Sequence, residues 1–90
     1  MVILTDAKIE QPYKMWLSFS DGTSGTIDLH ELARKGVFIA LQDVTFQRKL
    51  YVDRELGTVA WPGGLDLDPV VLYSRVSGRP IEESLHRYYA

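Results

Sequence analysis

Two aspartates, Asp66 and Asp68, have the spacing in this chain that most suggests chemistry. They lie two positions apart and follow the glycine pair Gly63-Gly64. Carboxylates beside a glycine turn could bind a hard cation or act as acid and base, but a calcium loop needs more oxygen ligands over a longer pattern. We therefore favour a structural interpretation, in which Asp68 caps a helix beginning at Pro69 and Asp66 accepts hydrogen bonds from backbone donors in the turn.

Other residue types that carry catalysis lack the partners they need. His30 and His86 are the only histidines, and neither has a cysteine or a second histidine at metal-ligand spacing. No serine lies in a Gly-x-Ser-x-Gly elbow, and the glycines match no phosphate-binding pattern. We therefore interpret Gly57, Gly63 and Gly64 as turn residues. The chain is predicted not to be an enzyme and to hold no cofactor or metal.

The charge pattern argues against nucleic acid and membranes as direct partners. Ten Lys and Arg stand against twelve Asp and Glu, the formal net charge is −2, and the two signs are interleaved. Binding to phosphate backbones or anionic lipid needs clustered cations. Six cations could converge after folding, although we favour a solvated surface for them; they are Arg48, Lys49, Arg54, Arg75, Arg79 and Arg87.

Length and hydropathy indicate one small domain. Ninety residues, of which 46% are hydrophobic, suffice for a single core, so we assign residues 1–90 to one domain. The first residues lack a cationic leader, and no apolar run approaches the roughly 20 residues of a membrane span. There is no cysteine to indicate a redox compartment. We expect a cytoplasmic protein.

Alternating apolar residues predict strands in the first half of the chain. Ala7 and Ile9 alternate with polar residues, and the dipeptide at 11–12 then turns the chain. A second strand follows, with four apolar residues on one face: Tyr13, Met15, Leu17 and Phe19.

A hairpin is predicted after this second strand, and two registers are possible. A two-residue loop would set Leu17 opposite Thr26, which brings a polar side chain onto the apolar face. A three-residue loop at 20–22, with its glycine left-handed, sets Met15 against Ile27 instead. We choose the second register because it keeps the apolar face intact.

A short helix is predicted over residues 29–35. Asp28 and Glu31 have the spacing of a capping box, and Gly36 suits the end of the helix. The inward positions would be Leu29, Leu32 and Ala33. The apolar run at 37–41 would form another helical turn or an irregular cover, and its hydrophobicity predicts burial.

A second hairpin is predicted from another alternating segment. Val59 and Trp61 return along a strand after a four-residue loop at 54–57. This loop pairs Val52 with Val59 and Leu50 with Trp61, both on one face. The apolar positions of the first strand of this hairpin would be Val44, Phe46, Leu50 and Val52.

Two helices are predicted in the last part of the chain. The first runs from Pro69 to about Ser77 and ends at Gly78, and the second starts at Pro80. The inward side of the second helix would carry Ile81, Leu85 and either Tyr88 or Tyr89. The chain is thus predicted to be an α+β domain, with a small, mainly antiparallel sheet built from two hairpins and an N-terminal strand, packed with two or three short helices.

The aromatic residues supply most of the packing material and the candidate interface. Trp61 ends a strand opposite an apolar residue and is assigned to the core. Trp16 falls on the sheet face opposite Met15 and Leu17, so it lies under a helix or is partly exposed. Exposed aromatics anchor protein interfaces. The candidate interface residues are Trp16, Tyr51, Tyr88 and Tyr89.

The order of several motifs resembles one known family. These motifs are 17–22, 27–29, 36–38 and above all 57–69, with its Trp-Pro-x-Gly-x-Asp-x-x-Pro core. Over about residues 4–74 the chain is similar to the bacterial family catalogued as domain of unknown function 2442. The resemblance implies a compact α+β domain and leaves residues 75–90 as a helical extension.

Three functions remain open from the sequence. The first is a non-enzymatic module that binds another protein, or itself, through a sheet face or edge and the C-terminal helix. The second follows from the resemblance, since some relatives carry a helix-turn-helix domain or are encoded as in toxin-antitoxin pairs; it is an antitoxin-like or transcription-regulatory component acting with a partner protein. The third is a hydrolase or a metal- or ligand-binding protein that uses Asp66 and Asp68.

Overall fold

Three antiparallel strands form the first sheet of the protein, whose computed structural model describes all 90 residues. Strands β1 (Leu4–Gln11), β2 (Lys14–Phe19) and β3 (Ser24–Asp28) lie in sequence order. Met15 pairs with Ile27, and Gly22 in the connecting loop has a φ of 90°. The predicted three-residue loop and its register are therefore confirmed.

The second sheet is smaller and contains a strand that the sequence did not predict. It consists of β4 (Tyr51–Asp53), β5 (Thr58–Trp61) and β6 (Leu65–Asp66), again antiparallel. Val52 pairs with Val59 as predicted, but the ladder ends at Tyr51, so Leu50 lies outside the strand. The α+β class with antiparallel pairing is confirmed, and the two hairpins lie in separate sheets.

The segment predicted as the start of the second hairpin is helical instead. Helix α1 (Val44–Gln47) is a single turn. Its N-cap is Asp43, whose Oδ1 accepts hydrogen bonds from the backbone N–H of Thr45 at 2.9 Å and of Phe46 at 3.4 Å. The strand prediction is wrong because this local cap satisfies backbone donors that a sheet would otherwise have to pair.

The predicted helix at 29–35 is also absent. Two 3₁₀ helices occupy the region, Leu32–Arg34 and Gly36–Gln42. They are separated by an extended Lys35, with φ −130° and ψ 140°, which prevents a continuous helix. The expected burial of 37–41 is only partly correct, since Leu41 is buried while Val37 and Ile39 are exposed.

Two α-helices complete the fold close to the predicted bounds. Helix α2 (Pro69–Ser77) ends at Gly78, which has the left-handed φ of 74°, and helix α3 (Ile81–Tyr89) follows. The buried residues of α3 are Ser84 and Tyr88, whereas the predicted inward residues Ile81 and Leu85 are exposed. None of the α-helices has the length and apolar character needed to cross a membrane.

One core joins both sheets and the two C-terminal helices. Helix α3 attaches to it through Tyr88, whose ring packs edge-on against Phe19 and Tyr73 with centroid separations of 6.1 and 5.5 Å. The carbonyl of Tyr88 also accepts a hydrogen bond from the N–H of Val2 at 2.8 Å. The fully buried side chains include Met15, Leu17, Leu29, Leu41, Val59 and Trp61.

Candidate functional site

An apolar groove lies between β3, the first 3₁₀ helix, β6 and α2, and we call it the Asp66 groove. Its cavity volume is about 210 Å³. Charged groups stand among its lining residues, namely Asp28, Asp66, Asp68 and Arg75. The apolar lining consists of Ile27, Leu29, Leu32, Phe38, Leu67, Val71 and Leu72. Concave apolar surfaces with a few polar groups are the usual form of a ligand site.

The two aspartates singled out from the sequence both line this groove, but they have different surroundings. Asp68 is the N-cap of α2, and its Oδ1 accepts a hydrogen bond from the N–H of Val70 at 2.9 Å, with Pro69 in the first turn. Asp66 lies exposed on β6 and accepts no hydrogen bond from a backbone donor. The prediction for Asp66 is therefore wrong: its backbone pairs with Ala60 in the β5–β6 ladder, and its side chain is exposed.

Asp28 is a charged groove residue that sequence reasoning treated only as a helix cap. Its Oδ2 lies 2.6 Å from the ammonium of Lys14, its partner across the β2–β3 ladder. Its Oδ1 accepts from the N–H of His30 at 2.7 Å and lies 2.6 Å from the ring Nδ1 of that histidine. The Lys14 ammonium, followed by the His30 donors, holds the pKa of Asp28 far below its ordinary value. Asp28 is thus an anion at neutral pH.

His30 is held over a tyrosine rather than aimed into the groove. Its ring stacks on Tyr13 with 3.8 Å between centroids and an interplanar angle of 9°. The structure does not bring His86 to the groove, since that residue lies on α3 and is exposed. No cluster of three or more His, Asp or Glu side chains is arranged to hold a metal ion. Chemically, the groove offers carboxylates around an apolar floor, an arrangement that suits a cationic group attached to an apolar body.

The proline and glycine turn lies beside the groove and connects β5 to β6. Gly63 and Gly64 have φ values of 91° and 84°, which residues with a Cβ rarely adopt. Pro62 is exposed at the start of the turn, whereas Trp61 is fully buried and donates from Nε1 to the carbonyl of Gln47 at 3.0 Å. The turn thereby reverses the chain so that Asp66 reaches the groove.

The four predicted interface aromatics do not form one surface. Tyr88 is only 2% exposed, so its assignment to an interface is wrong: it is a core residue that fastens α3. Trp16 is half-buried, with the ammonium of Lys8 lying 5.3 Å from its ring centroid. Tyr51 and Tyr89 are exposed, on β4 and at the end of α3 respectively.

The basic side chains are distributed over different parts of the surface. Arg79 and Arg87 both contact the carboxylate of Glu83, at 3.3 Å each. Arg75 lines the Asp66 groove, whereas Arg48 lines a separate depression beside β1.

An uncovered apolar row on α3 is the second candidate surface, and we call it the α3 face. Ile81, Leu85 and Tyr89 are 46%, 52% and 57% exposed. Residues four apart lie on one side of a helix, so these three side chains form a continuous row. Sequence periodicity placed Ile81, Leu85 and either Tyr88 or Tyr89 on the inward side of the helix, because Ser84, which is fully buried, was not recognised as a packing residue.

The comparisons with known proteins identify a family and no individual relative. No match was found among curated proteins or among solved structures. A family model for proteins of unknown function, DUF2442, matches residues 4–78. This match contains both sheets, the Asp66 groove and α2, and it ends before α3 begins. The chain therefore belongs to the DUF2442 family.

Proposed function

We propose that the chain is a non-enzymatic protein-interaction module of the cytoplasm and that the α3 face is its docking surface. One observation carries the proposal: Ile81, Leu85 and Tyr89 stand exposed in a row on a helix whose neighbouring row holds it to the core. Leaving apolar side chains in water forgoes the free energy of their burial. A partner that covers the row recovers that free energy.

The other exposed apolar residues offer less to a partner. Tyr51 lies in a three-residue strand, and Trp16 already has one face of its ring near Lys8. Val37 and Ile39 are exposed, but they project from a 3₁₀ helix in which alternate residues do not share a side. The α3 face combines a rigid element with three apolar side chains in line, which is the pattern of helix-mediated recognition.

The test is affinity capture from the native cell with immobilised protein. Wild type is compared with Leu85→Glu, which places a charge in the middle of the α3 face. Leu56→Glu is the matched control, because Leu56 is 57% exposed and lies in the β4–β5 loop rather than on α3. We expect a specific protein to be retained by wild type and Leu56→Glu and lost with Leu85→Glu. Equal retention by all three would contradict the proposal.

The Asp66 groove favours a second candidate function, the binding of a small apolar cation. Asp28 has a lysine partner, so the charges of the groove lining that have no ion pair are Asp66, Asp68 and Arg75, with a net negative sign. A cation with a short apolar chain would place its carbon atoms against the floor and its charge near the carboxylates.

Hexylamine and hexanoate are suitable probes because they share an apolar chain and differ in charge. Amide chemical shifts of Leu67 and Val71, both in the groove lining, report binding. We expect hexylamine to shift these resonances, hexanoate to shift them much less, and Asp66→Asn to reduce the hexylamine effect. Equal shifts from both probes would contradict selection by charge.

A further inference from the structure

We infer that the occupant of the α3 face is the α3 face of a second copy of this chain, packed antiparallel about a two-fold axis at Leu85. This inference rests on the proposed function, since it names the partner for the same surface. A two-fold interface is self-complementary, so each residue that contacts a different residue must do so twice. The α3 face meets that requirement in both its shape and its charges.

The apolar row is symmetric about its middle residue. Ile81 and Tyr89 lie four positions before and after Leu85. In an antiparallel pair centred there, Leu85 contacts Leu85 of the second copy, and Ile81 contacts Tyr89 of the second copy at both ends. At each end of the interface, the branched aliphatic side chain of Ile81 then packs against the aromatic ring of Tyr89. The two ends of the interface are therefore identical.

Two polar residues border the row and decide its orientation. Glu82 and His86 lie four positions apart along one edge of the α3 face, and neither has a side-chain hydrogen bond or ion pair within the chain. An antiparallel pair sets Glu82 of one copy near His86 of the other, so the imidazole N–H can donate to the carboxylate. A parallel two-fold pair would instead place this edge of the two helices on opposite sides of the interface, so Glu82 of one copy would not meet His86 of the other.

The opposite side of α3 is already occupied by contacts within the chain. Glu83 bonds to Arg79 and Arg87, and it lies away from the apolar row. The helix dipoles also favour the antiparallel arrangement, because the N-terminus of each helix then lies beside the C-terminus of the other. Charge and dipole therefore select the same orientation.

The interface can extend beyond the helices at their C-terminal ends. Val2 bonds to the carbonyl of Tyr88, so the first residues run beside the last turn of α3. Met1 and Ile3, on either side of Val2, are 75% and 47% exposed. Even so, a pair of nine-residue helices forms a small contact, and interfaces of that size associate weakly and reversibly. We expect a dimer that is populated only at high protein concentration.

Analytical ultracentrifugation over a concentration series tests the dimer. From about 10 μM to about 1 mM, the range in which a small interface associates, the mass should rise from the 10.2 kDa of the chain towards twice that value. Leu85→Glu should weaken association by about tenfold or more, and Leu56→Glu should leave it unchanged. Glu82→His and His86→Glu should each weaken it, and the double variant should recover it, because the swap preserves the pairing.

Disulfide trapping tests the position of the two-fold axis, since the chain has no cysteine of its own. Under mild oxidation, Leu85→Cys should form a homodimeric disulfide rapidly, whereas Ile81→Cys should do so slowly alone and rapidly when mixed with Tyr89→Cys. Disulfide geometry requires close Cβ atoms, so a shifted or parallel pair gives a different pattern.

A single 10.2 kDa species at all concentrations would overturn the inference, as would equal trapping of Leu85→Cys and Ile81→Cys. If the chain is such a monomer and Leu85→Glu still abolishes capture of another protein, the proposed function stands and only the second copy as partner is wrong.

Discussion

The side chain of Gln47 holds the backbone of Tyr13 in place. Its Oε1 accepts a hydrogen bond from the N–H of Tyr13 at 2.8 Å, although the residues are 34 positions apart. Tyr13 is the only non-glycine residue with positive φ, at 66°. The amide Nε2 of Gln47 donates to the carbonyl of Leu41 at 2.7 Å, so a fully buried amide connects the first sheet to the second 3₁₀ helix.

Replacing Gln47 by leucine should therefore be strongly destabilising. The substitution leaves a half-buried N–H at Tyr13 and a buried carbonyl at Leu41 without their partner, and an unpaired group costs about 1 to 3 kcal/mol where it is buried. Gln42→Leu is the control, because Gln42 is exposed and its side chain makes one hydrogen bond, to the carbonyl of Ala33. Urea unfolding measures both variants, and equal losses of unfolding free energy would contradict this account.

The cap of α2 gives a second prediction. Asp68→Ala removes the acceptor for the N–H of Val70 and should lower the free energy of unfolding by about 0.5 to 2 kcal/mol. Asp66→Ala removes no hydrogen bond and should change it by less than about 0.5 kcal/mol. Thermal melts of the two variants make the comparison, and a larger loss for Asp66→Ala would reverse the roles assigned here.

The free energy of unfolding should decrease in acid, because Asp28 becomes protonated there. Its pKa is lowered in the folded state, chiefly by Lys14 and then by His30, so the stabilisation is complete above the ordinary value of 3.8 and is lost as pH falls through the folded value. The stability difference between wild type and Asp28→Asn should thus be largest near neutral pH and shrink below about pH 4. Denaturant midpoints between pH 7 and pH 2 measure it, and Lys14→Met should reduce the same dependence. A difference that stays constant over this range would be the contrary result.

Two tyrosines should lose their phenolic protons at a higher pH than an ordinary tyrosine does. The hydrogen bond from Tyr73 to Asp21, 2.6 Å long, raises the pKa of Tyr73, and burial raises the pKa of Tyr88. Since a raised pKa favours the neutral phenol in the folded state, this stabilisation is present below about pH 10 and is lost as pH rises further. Ultraviolet titration measures the effect. Asp21→Asn should lower the pH at which Tyr73 ionises and leave the ionisation of Tyr88 unchanged. A change in the ionisation of both tyrosines would indicate general unfolding.

Local patterns predicted the fold where one interaction dominates. The pairing of Met15 with Ile27 follows from the alternation of apolar residues, and Asp68 and Gly78 define the ends of α2. The prediction failed at residues 44–47, where the Asp43 cap competes with an alternating pattern, and at α3, where the fit of Tyr88 beside Phe19 rotates the helix.

The sequence predicted only some of the residues that form the two candidate surfaces. Asp66 and Asp68 stand out because they are close along the chain, whereas Asp28 and Arg75 reach the same groove only through the packing of β3 against α2. The sequence predicts an apolar side of the last helix with Ile81, Leu85 and either Tyr88 or Tyr89, but which of these residues are exposed depends on the side of the helix that packs on the core.

The hydrogen bond from the indole of Trp61 to Gln47 makes the fluorescence of Trp61 a probe of the structure around Gln47. Gln47 also holds Tyr13, whose ring stacks on His30 beside the groove residue Asp28, so a short series of contacts leads from the groove edge to the buried indole. With Trp16 replaced by phenylalanine, the emission of Trp61 alone would follow occupation of the groove without any attached label.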